Sequence, residues 1–284
     1  MSTVKIAMIQ MLVEFHEADK NISHAATFIR QAVSQGAQIC VLPECMDLGW
    51  GTPKAVQLAK PIPGETSQKL CQIAKENHVY LATGITERDG DDIYNAAILI
   101  SDEGVILGKH RKINVLTGVE DVYSIGNMLS VIATPFGKIA MDICADNGVA
   151  SLSIGHTLAR MGAQIILSPS SWAVSPDWDP SKQTYGETWH VPYAHLSKTY
   201  GIPIIGVSNV GNVLDGSWAG WKAIGNSIAY DRFGNVLSIL PYGEDAECVR
   251  ILEVELGENT QVGTSLSDAV LKPTHNFFSS LNIQ

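Results

Sequence analysis

MLSVIATPFGKIAMDICADNGVASLSIGHTLARMGAQIILSP, residues 128–169, decides the fold class. Its first part holds two apolar runs joined by a glycine-containing turn, the pattern of an antiparallel hairpin. VASLSIGHTLARMG (149–162) then has helical period, and AQIILSP (163–169) is again a short apolar run. A hairpin followed by strand, helix, strand requires a sheet with both antiparallel and parallel pairs. The rest of the chain repeats these two themes. The runs VKIAMIQ (4–10), AQICVLP (37–43) and VYLATGI (79–85) alternate with the helical segments ISHAATFIRQAVSQ (22–35) and TSQKLCQIAKEN (66–77). Further hairpins are expected at 93–109 and 226–240, a helix within 186–200 and a strand at IPIIGVSN (202–209). The class is α/β with mixed sheets.

No linker, repeat or low-complexity tract divides the chain, so residues 1–284 are expected to form one domain with a C-terminal tail from about residue 256. Residues 172–187, WAVSPDWDPSKQTYGE, read as a long irregular loop of the kind that borders binding sites.

Composition excludes several function classes. Apolar residues make up 45% and charged residues 17%, as in a folded globular chain. A net charge of -10, with no basic cluster to offset it, argues against a nucleic-acid partner. The apolar N-terminal stretch is too short to span a bilayer, which suggests a first strand in a cytoplasmic protein with no membrane partner. The five cysteines form no CxxC pair and are expected to be reduced thiols. No HExxH or Cys/His ligand spacing suggests a metal.

Cys40, Cys71 and Cys248 read as small buried hydrophobes. Cys144 differs, because it ends an apolar strand and meets the polar turn Ala145-Asp146-Asn147-Gly148. A strand-to-helix turn can hold a nucleophile on a rigid mount, and a helix beginning near Asn147 would favour a thiolate. Such a thiol also needs a proton acceptor and charge stabilisation. VLPECMDLGW (41–50) places Glu44 just past a strand, and KHRKIN (109–114) places Lys112 just past another.

The motifs PE at 43–44, RK at 111–112, CxD at 144–146, GAQIILSPSSW at 162–172 and GVSNVG at 206–211 together resemble the nitrilase superfamily of carbon-nitrogen hydrolases. The resemblance implies a four-layer α-β-β-α sandwich that assembles as a dimer or larger, needs no cofactor or metal, and hydrolyses a small-molecule amide. It implies Cys144 as nucleophile, Glu44 as general base and then acid, and Lys112 beside the intermediate, with the Ala145 N–H completing the oxyanion site. Glu120 matches a second glutamate that many members carry after the lysine. Asn114 stands where members often have histidine, and Ala145-Asp146 replaces the Trp-Glu usual in nitrilases proper. Ala145, Trp172, Trp50 and Tyr185 are the expected substrate contacts. N-carbamoyl amides and nitriles are alternative substrates. A Cys-His hydrolase using His156 or His190 and a noncatalytic interaction protein are the rival classes.

Overall fold

The computed structural model describes residues 2–183 and 185–258. The chain runs through β1 (Ser2–Gln10), α1 (Ala18–Ser34), β2 (Ile39–Val41), α2 (Ala55–Leu58), α3 (Glu65–Asn77), β3 (Tyr80–Asp89), β4 (Asp92–Ile100) and β5 (Ile106–Arg111). Then follow β6 (Val131–Thr134), β7 (Gly137–Met141), α4 (Leu152–Arg160), β8 (Ile165–Ser170), β9 (Ala173–Val174), α5 (Glu187–Tyr200) and β10 (Ile204–Ser208). The last strands are β11 (Val210–Asn212), β12 (Lys222–Ile224), β13 (Ile228–Tyr230), β14 (Val236–Ile239) and β15 (Cys248–Leu256).

Two six-stranded sheets form the centre, in the orders β15-β1-β2-β3-β4-β5 and β14-β13-β10-β8-β7-β6. Each is mixed. β1, β2 and β3 pair in parallel, while β3-β4-β5 and β1-β15 are antiparallel. β7, β8 and β10 pair in parallel between the antiparallel hairpins β6-β7 and β13-β14. The expected hairpins at 93–109, 128–144 and 226–240 are therefore β4-β5, β6-β7 and β13-β14.

Strand side chains alternate between faces, and both faces of the central strands are covered. On one face of the first sheet, Ala7, Ile9, Leu42, Leu81 and Ile98 form a core with Ile22, Ala25 and Ile29 of α1 and Leu70 and Ala74 of α3. These helical positions recur at spacings of three and four, so each helix turns one stripe inward. The opposite face, with Ile6, Met8, Val41 and Leu99, shares a second core with Ile139, Met141, Ile165 and Leu167 of the other sheet. Leu158 of α4 and Tyr193 and Leu196 of α5 join that core from the far side. The layers are α-β-β-α.

Two local expectations change. No helix starts at Asn147. Cys144–Asn147 and Val149–Ser151 are short 3-10 turns, and α4 begins only at Leu152. Part of the irregular loop is strand β9, which joins β11 and β12 in a small three-stranded sheet. The expected tail from about residue 256 lies almost wholly outside the described residues, since β15 itself ends at Leu256.

Candidate active site

Glu44, Lys112 and Cys144 are each carried just past a strand end, and the stacked sheets bring those ends together. Glu44 lies three residues beyond β2 in a turn laid along β3, where Gly84 N–H donates to Pro43 O at 3.0 Å and Met46 N–H to Gly84 O at 2.9 Å. The contact is so close that a Cβ on Gly84 would sit 2.5 Å from the Glu44 Cα. Glu44 N–H also donates across the sandwich to Ser170 O of β8 at 3.1 Å. Gly84→Ala is thus expected to displace the Glu44 turn, costing about 1–3 kcal/mol of stability and about tenfold or more in rate. Thermal melts and steady-state rates measure the two effects, and a wild-type rate would show that Glu44 tolerates the shift.

Lys112 directly follows β5, its N–H held by Asn95 O at 2.8 Å. Its ammonium is 1% exposed and reaches Glu44 Oε1 at 2.9 Å and Glu120 Oε1 at 2.8 Å. Burying a charge requires compensation of this kind, and two carboxylates supply it. Asn95 Nδ2 donates to Glu44 Oε1 at 2.6 Å. Trp50 Nε1 donates to Glu120 Oε1 at 2.6 Å, and Leu116 N–H to Glu120 Oε2 at 2.8 Å. Glu44 Oε2 is buried with no hydrogen-bond partner in the protein.

Cys144 is buried, with the left-handed φ of +46° that a tight turn demands. The Ser171 N–H donates to its sulfur. Burial, then the negative charge of Glu44, pushes the thiol well above the usual range, although Lys112 pulls the other way. This corrects the expectation of a thiolate favoured by a helix end. The lysine is present but shared with two carboxylates, and no α-helix starts at the cysteine. Burial likewise raises the Glu44 carboxyl to about 7 against the attraction of Lys112. Lys112 itself is held well above its ordinary value by Glu44 and Glu120, which outweigh burial.

The expected substrate contacts divide into two groups. Trp172 follows Ser171, stacks on Trp189 with ring centroids 5.2 Å apart, and is 6.4 Å from the Tyr185 ring. Tyr185 lies close enough for the charge of Cys144 to raise its hydroxyl, after burial, and accepts the Trp189 indole N–H at 3.2 Å. These rings lie on the Cys144 side. Trp50 instead has its indole N–H engaged by Glu120 and its ring against Trp218, centroids 5.0 Å apart. Ala145 is the second residue of the Cys144–Asn147 3-10 turn, where the first N–H groups have no partner within the turn. Asn114, in the position where histidine was noted as common, donates from Nδ2 to Ala145 O at 2.7 Å. The histidines of the rival mechanism pair elsewhere: His156 Nδ1 with Tyr200 OH at 2.7 Å and His190 Nδ1 with Tyr230 OH at 2.6 Å. Among the described residues, no group of three or more His, Cys, Asp or Glu side chains is arranged to hold a metal ion.

Sequence reasoning missed Asn95. The available signal was a carboxamide in the otherwise apolar strand IYNAAILI.

The sequence profile of the carbon-nitrogen hydrolase family matches residues 5–263. The chain belongs to this family. It is 36% identical to an omega-amidase NIT2 of Mus musculus over 182 residues, 61% of this chain and 65% of that protein. The match thus spans just under two thirds of that relative's length. A nitrilase of Pyrococcus abyssi is 32% identical over 212 residues, covering 72% of this chain and 80% of the relative. Among solved structures, a carbon-nitrogen hydrolase from Helicobacter pylori superposes with a TM-score of 0.82 at 22% identity, over 99% of both chains. Nit3 of Saccharomyces cerevisiae, a member of the nitrilase superfamily, gives 0.74 at 24% identity over 96% of both. Both structures share the fold of the family.

Proposed function

We propose that the chain hydrolyses a small-molecule carboxamide through a thioester on Cys144, releasing ammonia first. The observation that carries this reading is the buried Lys112 ammonium bridging Glu44 and Glu120 beside a thiol on a tight turn. Family membership and the similarity to omega-amidases support the amide as substrate class.

In this reading the resting thiol is protonated, because burial and Glu44 disfavour its anion. The unpartnered Glu44 Oε2 takes the proton as sulfur attacks the carbonyl carbon. Lys112 and the Ala145 N–H stabilise the tetrahedral oxyanion. Glu44 returns the proton to the amide nitrogen, the C–N bond breaks and ammonia leaves. Glu44 then deprotonates water for attack on the thioester, and the Cys144 thiol is regenerated. Glu120, fixed by Trp50 and Leu116, keeps the ammonium in place. Trp172 and Tyr185 would contact the acyl group. None of these steps calls for a cofactor.

Glu44 acts as a base only when ionised, so kcat/KM should rise with pH and level off above about 7, where this carboxyl titrates. Stability runs the opposite way. The folded state raises the carboxyl from 4.5 to about 7 and so binds the proton more tightly than the unfolded chain. This group's contribution to stability therefore falls as pH rises from 4.5 to about 7. Glu44→Gln should lower kcat by about 10²–10⁴-fold and remove that limb of the pH profile. A near-normal rate with the limb intact would assign the base elsewhere.

The substrate assay is ammonia release from matched amides, N-carbamoyl compounds and nitriles sharing one acyl group, with Cys144→Ala as blank. Turnover of the amide and little of the nitrile is expected. Nitrile turnover with silence on every amide would contradict the substrate reading.

We also read the protein as cytoplasmic and as a dimer or larger. All five cysteines are free, and no described helix is long and apolar enough to cross a membrane. Exposed Val191 on α5 and Phe233, Val236 and Ile239 around edge strand β14 offer apolar surface for a second copy.

A further inference from the structure

One buried carboxylate stands between the lysine and the thiol without being spent on either. Asp146 Oδ1 accepts the N–H of Ile113 at 3.1 Å and that of Asn114 at 2.6 Å. Asp146 Oδ2 accepts the N–H of Ile143 at 3.2 Å and lies 2.7 Å from His110 Nε2. Ile113 and Asn114 immediately follow Lys112, and Ile143 immediately precedes Cys144. A single side chain therefore fastens the backbone beside both groups. Asn114 returns the connection through its bond to Ala145 O, which the Ser151 hydroxyl also caps.

The need for such a tie follows from the architecture. Lys112 leaves β5 of the first sheet and Cys144 leaves β7 of the second. The two sheets meet mainly through apolar side chains, whose attraction is non-directional and fixes no register between strand ends. Charge-assisted hydrogen bonds are directional, and three of the four at Asp146 are to backbone N–H groups. Both carboxylate oxygens are occupied by donors, so Asp146 is not placed to act as a second base for the thiol. His110, 2% exposed on β5, fixes the orientation of the carboxylate.

We propose that Asp146, oriented by His110 and reinforced by Asn114, is the positioning residue that holds Lys112 in register with Cys144. This rests on the reading of Lys112 and Cys144 as the reacting pair. The clamp acts on the geometry of the transition state and leaves substrate affinity largely alone.

The test uses the full-length chain with Asp146→Asn, His110→Leu and His110→Gln. Asn keeps the shape of Asp but turns one acceptor into a donor facing donors. Gln keeps an N–H at position 110, and Leu removes it. The readouts are kcat and KM for the amide, melting temperature, and the rate at which iodoacetamide alkylates Cys144. Asp146→Asn should lower kcat by about 100-fold, the scale of an ångström-sized misplacement, with KM changed less than about threefold and alkylation slowed in parallel. His110→Leu should lose about tenfold or more in both rates, and His110→Gln should recover most of that loss. Should Asp146→Asn fail to fold, the Leu and Gln pair decides alone. Equal loss in Leu and Gln, or unchanged kcat and alkylation in Asp146→Asn and His110→Leu, would overturn the proposal. Alkylation requires no amide substrate, so a wild-type protein that released no ammonia would refute the functional reading and leave this test intact.

Discussion

Cys144→Ala and Cys144→Ser are expected to stay folded and to lose ammonia release by about 10⁴-fold or more. Alanine has no nucleophile. Serine has one of nearly the same size, but its hydroxyl holds its proton far more tightly than a thiol. Glu44, titrating near 7, is too weak a base to remove it. The fold should tolerate both changes, because the sulfur is small and a hydrogen bond from the Ser171 N–H to a thiol is weak, so about 1 kcal/mol or less is at stake. Cys45→Ala is the matched control. That thiol is also buried, has φ of +45° and neighbours Glu44, yet its sulfur lies against the Tyr123 hydroxyl at 3.5 Å. It should keep most of the activity, and complete loss there with survival in Cys144→Ala would move the nucleophile by a whole sheet.

The second large effect is at Lys112. Lys112→Ala removes the cation beside the intermediate and the shared counter-ion of two fully buried glutamates. Losing one oxyanion donor costs about 10²–10³ in kcat. Breaking a buried ion pair from one side costs about 3–5 kcal/mol of stability, which the glutamates relieve by taking up protons. Lys112 is the attraction that holds Glu44 down to about 7, so its removal should push that carboxyl higher and move residual activity to higher pH. Lys109→Ala is the comparison, because Lys109 lies on β5 three residues before Lys112 but is itself partly exposed and pairs with Glu87. It should cost about threefold or less. Rates, melts and pH profiles of the two variants, measured side by side, separate a catalytic cation from a structural one, and equal losses would contradict the assignment.

What could be read from the sequence follows a physical division. Apolar runs and glycine-containing turns made the mixed pairing, the parallel strands and all three hairpins legible, whereas β15 (Cys248–Leu256), whose apolar residues are interrupted by Arg250, Glu253 and Glu255, was not read as a strand. Glu44, Lys112 and Cys144 stand out in the sequence as candidates because each follows an apolar strand. The three-stranded sheet was not legible, because strands of two and three residues such as Ala173–Val174 and Lys222–Ile224 are too short to show a period. Glu120 came through family resemblance, and only folding shows that Trp50 and Leu116 aim it at Lys112. Trp50 was expected to face substrate. Its aromatic character is visible in sequence, but the carboxylate that engages its N–H lies seventy positions away. The state of the Cys144 thiol was misread for the same reason, since burial and two glutamates are properties of the packed site.

The central claim is that acyl transfer passes through Cys144. It is tested most directly by rapid acid quench of the wild-type protein during turnover of a carboxamide substrate, followed by intact-mass and peptide analysis. Acid protonates Glu44 and stops both thioester formation and hydrolysis, so the intermediate present at steady state is preserved. The account predicts a mass gain equal to the substrate minus ammonia, confined to the peptide containing Cys144 and absent from Cys144→Ala. An acyl adduct on a different residue, or turnover that continues in Cys144→Ala with no adduct anywhere, would contradict it.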